Sequence, residues 1–562
     1  MVRRTDLGRP VVNSPDGLLA SLDEQQRQAA EALLGPVVLL AGAGTGKTRA
    51  ITHRIAYGVA TGVYSPSRVM ALTFTARSAG ELRSRLRALG AGGVAARTFH
   101  ASALSQLGFF WPQVVGGSAP KLLESKGRVI GHAAESLRLK LDTATLRDTA
   151  AEIEWRKLSR MSLDQYAAAK RPLPPSLTLE KIVDLQRAYE TVKDERKQFD
   201  FEDVLLVTAG MIESEPRVAQ QVREQYRFFV VDEYQDVSPL QQELLSQWLG
   251  ERNDLCVVGD ASQTIYTFAG ATPDYLLGFT SLYEDATVVR LEQNYRSTPA
   301  IVDAANRVMH GRAGALELHA VPGAPAGPAP AVSAFADDRA EARAIASAIR
   351  ADIDGGAPPE SIAILYRINV QSAVLEAALG DAGVPSLIRG STRFFDQKEV
   401  KEALMLLKGA SVNTRPEPLF QTVSDVLRSL GWTQDAPEVR GAVRDRWESL
   451  NALMGLADEA PADTTLKEFV AELGERQAGQ HEPTMSAVTL ATLHSAKGLE
   501  WDSVYIAGAS EGLLPIGYAR TEQAVEEERR LFYVGITRAR RKLRLSWAGP
   551  NREPSRFLAD LR

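Results

Sequence analysis

One eight-residue run constrains this chain more than any other feature: Ala41-Gly-Ala-Gly-Thr-Gly-Lys-Thr48. It follows the apolar run Val37-Val-Leu-Leu40 and opens a polar–apolar helical stretch that reaches Tyr57. Strand, glycine-rich turn and helix together are the context a P-loop requires. Gly42, Gly44 and Gly46 let backbone N–H groups turn inward on phosphates, an approach that side chains would block. Ala41, standing where the general pattern has glycine, completes the cradle with Ala43 and Thr45. Lys47 places a point charge on the β- and γ-phosphates, and the Thr48 hydroxyl is a ligand for Mg²⁺. A dinucleotide G-x-G-x-x-G reading fails, because the third position after Gly44 is Lys47. The run therefore implies a site for a nucleoside triphosphate.

The rest of the chain supplies a frame for such a loop. Val69-Met-Ala-Leu-Thr-Phe74, Phe228-Phe-Val-Val231, Leu255-Cys-Val-Val258 and Val288-Val-Arg-Leu291 are short apolar runs separated by helical patterns. Continuous runs of this kind indicate a parallel sheet covered on both faces. A second set, Ile362–Tyr366, Val488–Leu490, Val504–Ile506 and Leu543–Leu545, indicates a second α/β unit. Between Leu107 and Phe199 only helix-period stretches occur, as they do in weaker form between Gly409 and Ser486. The proline-rich stretch Val321–Pro330 cannot hold a regular element, because its prolines remove backbone donors. A chain of 562 residues with 44% hydrophobic and 24% charged residues is an ordinary multi-domain globular protein. Its formal charge of −5 excludes a general basic field, so any nucleic-acid surface must be local. One cysteine, Cys256, excludes a disulfide framework. Met1–Pro10 lacks the apolar core of a secretory leader, and no stretch approaches the ~18 apolar residues of a membrane span. A cytoplasmic protein without a membrane partner is expected.

Phe228–Val231 runs straight into Asp232-Glu-Tyr-Gln-Asp236. A carboxylate at the end of a buried strand beside the P-loop strand is placed to hold the Mg²⁺ shell, which is the expectation for Asp232. Glu233 is then the candidate base that orients and deprotonates a water for in-line attack on the γ-phosphate. A kinase would need an acceptor pocket that nothing in the sequence identifies.

The order of the remaining motifs resembles the UvrD/Rep/PcrA group of superfamily-one DNA helicases over nearly the whole chain. The resemblance is carried by Leu22-Asp-Glu-Gln-Gln26, Ala71–Ala76, Ala96-Arg-Thr-Phe-His100, Asp200-Phe-Glu-Asp203, Val258–Ala271 and Gln293-Asn-Tyr-Arg-Ser297. Tyr366-Arg-Ile-Asn369, Thr492–Asp502 and Glu526–Ala539 complete the set. It implies two RecA-like motor domains with parallel sheets, each carrying a mainly helical insertion. The expected division is 1–107 and 200–297 for the first motor, 108–199 for its insertion, 298–408 and 487–562 for the second, and 409–486 for a reduced insertion. The implied activity is ATP-dependent 3′→5′ translocation on single-stranded DNA and unwinding at single-strand/duplex junctions, in repair or replication. The implied roles are adenine recognition by Gln26, stacking on adenine by Tyr295 with Arg49 beside it, and a position near ribose and triphosphate for Glu500. Gln263 resembles the sensor of the γ-phosphate. Arg296 and Arg538 resemble the two arginines that reach the nucleotide from the second motor's side. Thr73, Phe74, Thr98, Phe99, His100, Tyr266, Phe268, Arg367, Asn369, Thr492 and His494 fall in the DNA-contacting motifs. Stacking on aromatics suits a motor that must pass over any base, and Arg83, Arg85, Arg87 and Arg97 offer a local basic surface.

Three departures from that pattern stand out. Phe268-Ala269 occupies the place of a Trp-Arg pair, which removes an arginine from the link between DNA and nucleotide. The span from Lys401 to Thr492 is short for the second insertion. Both features resemble the divergent second UvrD-type helicases of actinobacteria, whose C-terminal cysteine cluster and HRDC-type domain do not follow Pro554–Leu558 here. A motor core, native or truncated, is thus expected. A translocase that unwinds poorly without a partner is the alternative these departures leave, and a non-motor P-loop switch would leave the two arginines unexplained.

Overall fold

The computed structural model describes residues 14–561 except 175, 390–394, 396, 412–417, 436, 438–441, 459, 462–463, 479–486 and 550–551. Met1–Pro10 and parts of the expected 409–486 insertion lie outside the described residues.

Two six-stranded sheets organise the chain, and every strand pairing in both is parallel. The first contains β1 (Val37–Ala41), β2 (Val69–Thr73), β3 (Ala95–Thr98), β4 (Phe228–Val231), β5 (Leu255–Gly259) and β6 (Thr287–Leu291), in the order β3-β2-β4-β5-β1-β6. The second contains β7 (Ala331–Phe335), β8 (Ile362–Tyr366), β9 (Ser386–Arg389), β10 (Val488–Thr492), β11 (Trp501–Ile506) and β12 (Ala539–Ala548), in the order β7-β12-β11-β8-β10-β9. Most of the apolar runs became central strands because helices cover both faces and leave no side for polar residues, whereas Val288–Leu291 forms the edge strand β6 with several exposed residues. β3, β7 and β9 escaped the sequence reading for the opposite reason: all three are edge strands, and none is a continuous apolar run.

Two expectations need correction. β5 stands between β4 and the P-loop strand β1, so Asp232 is not on the neighbouring strand. Apolar runs fix which segments are strands, whereas crossover connections decide their order. The span 107–199 also holds strand residues, since Lys121–Leu122 pairs with Gln198–Phe199. Val321–Pro330 carries neither helix nor strand, in line with its prolines.

Helix α1 (Lys47–Ala60) follows the P-loop, α2 (Phe99–Val114) and α3 (Thr143–Leu158) leave the first sheet, and α4 (Phe201–Ser214) returns to it. The return is locked by charge. Asp200 caps α4 through the Asp203 N–H, and its Oδ2 accepts hydrogen bonds from Lys157 at 2.7 Å, Lys193 at 3.1 Å and the Tyr189 hydroxyl at 2.9 Å. Lys157, Lys193 and Asp200 expose 3%, 2% and 1% of their side chains, so solvent screens none of these contacts. Burial by itself would raise the Asp200 carboxyl; the Lys157 and Lys193 ammoniums overrule it and hold it far below the usual carboxylate range. No described helix is long and apolar enough to cross a membrane.

Removing one member of such a buried network strands the others. Asp200→Ala is expected to cost about 3–5 kcal/mol of stability in urea denaturation. Because the folded-state carboxyl is depressed, its contribution is present above pH ~4 and declines as pH falls below that. A loss under ~1 kcal/mol would identify the cluster as an ordinary surface network.

Candidate nucleotide cleft and nucleic-acid interface

One end of the cleft is built from the segment before the first sheet. The Asp23 side chain caps a helix by accepting from the Gln26 N–H at 2.7 Å, and its second oxygen accepts from the Tyr295 hydroxyl. Gln26, buried, donates its amide to the Thr45 carbonyl at 3.0 Å and so rests on the P-loop. Arg49 is exposed and donates to the Ser21 carbonyl. Tyr295 is 46% exposed, a large ring with a free face at the mouth of the cleft.

The P-loop closes on itself through Thr45, whose hydroxyl donates to the Gly42 carbonyl at 2.9 Å. Gly44 (φ 73°) and Gly46 (φ 80°) take left-handed backbone that disfavours any other residue. A Cβ on Gly44 would lie 2.6 Å from Asn294 Nδ2, and one on Gly46 2.7 Å from Gln26 Nε2. The segment 293–297 lies directly against the loop: Asn294 donates to the Ala43 carbonyl at 2.7 Å and Tyr295 N to the Gly44 carbonyl at 2.9 Å. Helix α1 begins at Lys47, so its N-terminal N–H groups face the same space as the loop.

Lys47 Nζ stands 3.8 Å from Glu233 Oε1. Glu233 adopts left-handed backbone (φ 54°, ψ 42°), a costly conformation for a residue with a side chain and one that aims it into the cleft mouth. Burial would raise the Glu233 carboxyl, but Lys47 and Lys497 overrule it and keep it an anion. Asp232 shifts the other way, raised by burial and by the Glu233 charge. A buried carboxyl within electrostatic reach of Lys47, together with the hydroxyl of the adjoining Thr48, offers the hard oxygen donors that Mg²⁺ takes. The residues present therefore fit the metal.

Gln263 donates its amide to Asp260 Oδ2 at 2.7 Å, which leaves its carbonyl oxygen facing Arg538 Nη2 at 3.5 Å. Arg538 lies just past helix α5 (Glu522–Ile536) and is fully buried, with Nε on the Val534 carbonyl and Nη1 on the Leu499 carbonyl. Burial, and then the Arg296 guanidinium, push its pKa below the ordinary value. Arg296 Nε is 2.5 Å from Glu500 Oε2, and its Nη1 donates to the Thr537 carbonyl at 3.0 Å. Both arginines thus reach the space between the two sheets. Arg296 comes from the crossover that follows β6 rather than from the body of the second sheet. Glu500 sits between Arg296 and Arg540.

On the far side of the same loop lies an aromatic surface. Phe74 and Tyr266 stack at 5.5 Å, Tyr266 meets Phe268 edge-on at 6.2 Å, and Phe268 meets His494 edge-on at 5.9 Å. Phe74 and Phe268 are 46% and 54% exposed, so each keeps ring surface open to solvent. Burial, with Arg367 and Lys497 nearby, lowers the His494 imidazole to about 3, so it is neutral. His100, likewise lowered to about 4 by burial and then Lys126, meets exposed Phe201 edge-on at 5.8 Å. Thr492 hydrogen-bonds the Ser495 hydroxyl and N–H, and Asn369 keeps a buried Oδ1 without a hydrogen-bond donor.

Phe99 is a correction: it is 4% exposed and stacks on Trp248 at 5.9 Å in the first core, where no base can reach it. Thr73 is buried with its hydroxyl on the Thr75 carbonyl, and the Thr98 hydroxyl caps α2 through Ala101 N. Arg367 forms a two-pronged ion pair with Glu528 at 2.8–2.9 Å, which commits its guanidinium inside the protein. Lys497, Asp23, Asp260 and Phe201 stand in motifs the sequence shows, but no role for them was read from it. Lys497 pairs with Asp236, donates to the Gln263 carbonyl at 2.8 Å and lies 5.2 Å over the Tyr266 ring. Its signal was available: a lysine inside the Thr492–Asp502 motif, close to Glu500.

Two parallel sheets with a P-loop at their junction define a nucleotide-driven motor of the helicase class. Residues 22–284 match the UvrD/REP helicase N-terminal domain, and residues 289–434 and 417–549 match the UvrD-like helicase C-terminal domain. The chain is 47% identical to the ATP-dependent DNA helicase UvrD2 of Mycobacterium tuberculosis, over 97% of this chain and 82% of that one. It is 30% identical to DNA helicase II of Escherichia coli, over 97% of this chain and 88% of that one. Identity to the ATP-dependent DNA helicase UvrD1 of Mycobacterium tuberculosis is also 30%, over 100% of this chain and 87% of that one. The chain belongs to the UvrD-like helicase family.

Lys47→Ala is expected to lower ATP turnover at least ~100-fold, since the phosphates lose their nearest ammonium; near-normal turnover would remove the P-loop assignment. Glu233→Gln is expected to bind a fluorescent ATP analogue normally while hydrolysis drops by roughly 10²–10⁴. Lost binding in that variant would instead mark Glu233 as a structural residue.

Proposed function

We propose that this chain is an ATP-dependent 3′→5′ single-stranded DNA translocase and helicase that opens duplex at single-strand/duplex junctions in DNA repair or replication in the cytoplasm. The observation that carries this reading is the convergence of Lys47, Glu233, Gln263, Arg296 and Arg538 on one cleft whose wall continues into an exposed aromatic row. The two lobes are 1–107 with 200–297 and 298–408 with 487–562, and 108–199 and 409–486 are their insertions.

The chemistry follows from the cleft. Phosphoryl transfer to water needs positioning and charge stabilisation more than covalent chemistry. Lys47 and the loop N–H groups hold the β- and γ-phosphates, Glu233 takes the water's proton, and Gln263 fixes the water or a γ-oxygen. Arg538 and Arg296 stabilise the charge that builds on the γ-phosphoryl group. Thr48 and Asp232 would hold Mg²⁺, which would supply further neutralisation of the phosphate oxygens. Gln26 and Tyr295 hold adenine, with Arg49 beside it and Glu500 towards the ribose. Arg538 belongs to one lobe and the P-loop to the other, so hydrolysis requires the lobes to be closed and product release lets them part. Phe74, Tyr266, Phe268 and His494 hold successive bases by their faces, while Asn369, Thr492 and His100 face the backbone.

The 3′→5′ polarity rests on the likeness to the UvrD group. Ala269 and the small second insertion favour a second reading, a single-strand-stimulated translocase that unwinds weakly without a partner. Tailed duplexes separate the two. The expected result is ATP-dependent strand displacement from a 3′-tailed duplex and none from a 5′-tailed one; translocation without displacement on either would select the second reading. Phe268→Ala is expected to weaken binding to single-stranded DNA by about 1–3 kcal/mol in fluorescence anisotropy.

A further inference from the structure

The row of aromatics and the arginine of the cleft are joined by one helix. Glu527, in the first half of α5, places one carboxylate oxygen 3.1 Å from Thr267 N and the other on the Thr267 hydroxyl. A carboxylate that accepts from two donors of one residue makes a charge-assisted, directional clasp. One turn further along, Arg530 Nε donates to the Thr264 carbonyl at 2.8 Å. Just beyond the helix, Arg538 faces Gln263. Glu527 lies nine positions, roughly 14 Å of helical rise, before the helix ends at Ile536, and Arg538 follows two residues later. The helix and the residue just past it therefore hold both ends of the segment 263–267 from the opposite lobe.

What that segment carries makes the grip consequential. Thr267 lies between Tyr266 and Phe268, so a force on Thr267 moves both rings. The other flank of the loop is fixed: a Cβ on Gly270 (φ 92°) would meet Leu158 Cβ at 3.3 Å, and Trp155 lies within 4 Å, both on α3. The loop is thus held on one side by the first lobe's insertion and on the other by a helix that travels with the second lobe. Ala269 contributes no charged group to this contact. The Glu527 carboxylate and the Arg530 guanidinium are the polar hold that α5 has on residues 264–267.

We propose that Glu527 is a positioning residue that couples DNA to hydrolysis: by clasping Thr267 it makes the Tyr266–Phe268 pair move with the closure of α5, and with Arg538, on the nucleotide. This rests on the reading of Tyr266 and Phe268 as base contacts. DNA seated on the two rings draws Thr267, and with it Glu527 and α5, towards the P-loop. Without the clasp, the cleft still closes on ATP but no longer responds to DNA.

The test is steady-state ATP hydrolysis by the full chain with and without saturating oligo-dT. In Glu527→Ala, DNA-free kcat and KM for ATP are expected to stay within about twofold of wild type, while DNA-stimulated kcat falls about tenfold. Thr267→Val should lose part of the stimulation, because the backbone donor remains, and Thr267→Ser should retain it. The double variant Glu527→Ala/Thr267→Val should lose no more than Glu527→Ala alone, the signature of one shared interaction. Full stimulation in Glu527→Ala, additive losses in the double variant, or an equal fall in DNA-free turnover would each overturn the proposal. Unchanged thermal melting of the variants, with Thr267→Ser as the conservative control, excludes misfolding as the cause of a loss. A wild-type enzyme indifferent to oligo-dT would remove the DNA reading itself, and the clasp with it.

Discussion

Unbalanced charge in the cleft between the two sheets is the constraint on which the rest of the structure depends. Arg538 is buried with another guanidinium nearby, and its charged form is destabilised there. Asp232 is buried beside Glu233, and its charged form is destabilised as well. In a low-dielectric space these two groups want opposite things, an anion for one and a cation for the other. A triphosphate supplies the anion, and a divalent cation at Asp232, as proposed above, would supply the cation. The protein groups that surround the site are therefore more at ease in the company of the nucleotide than without it, and that difference is what can draw two lobes together.

Closure of this kind needs parts that meet only across the gap, and the structure supplies several. Lys497 follows β10 of the second sheet yet pairs with Asp236 and approaches Glu233 at 3.8 Å, both of them beyond β4 of the first. Tyr533 on α5 is 3.5 Å from Asp260, and Ser297 hydrogen-bonds the Ala539 carbonyl at 2.6 Å. These contacts are short and polar, and they surround a smaller apolar contact in which Ala43 and Ile265 join the second sheet's core. Polar contacts can be exchanged for water at modest net cost, whereas exposing a core cannot.

The legible portion of the fold was the portion with simple physics. The central strands showed as apolar runs because both sheet faces are covered, and the P-loop showed because its backbone geometry admits few residues. Edge strands β7 and β9 were silent, since an edge needs no continuous apolar run. Strand order was silent too, which is why Asp232 was placed one strand too close to the loop. In the site, single residues were harder than motifs. Phe99 and Phe74 lie in similar motifs, but only three-dimensional packing shows one ring against Trp248 and the other half exposed. Lys497 and Glu527 act across the seam, through partners more than 200 positions away, and no local pattern announces such a pairing.

Two clusters of buried charge now stand in contrast within one chain. Around Asp200, ammoniums and carboxylates compensate each other almost without solvent, and the helical insertion is fixed to its sheet. Around Lys47, Asp232 and Arg538 the compensation is incomplete, and the chain tolerates a left-handed Glu233 besides. A fully satisfied network has one arrangement and resists motion; a half-satisfied one is costly until a ligand completes it. The first gives the α3 side of the aromatic loop a stationary anchor. The second gives the α5 side a reason to move. The motor proposed above needs both, because a helix could shift the rings at 266 and 268 only against something that stays where it is.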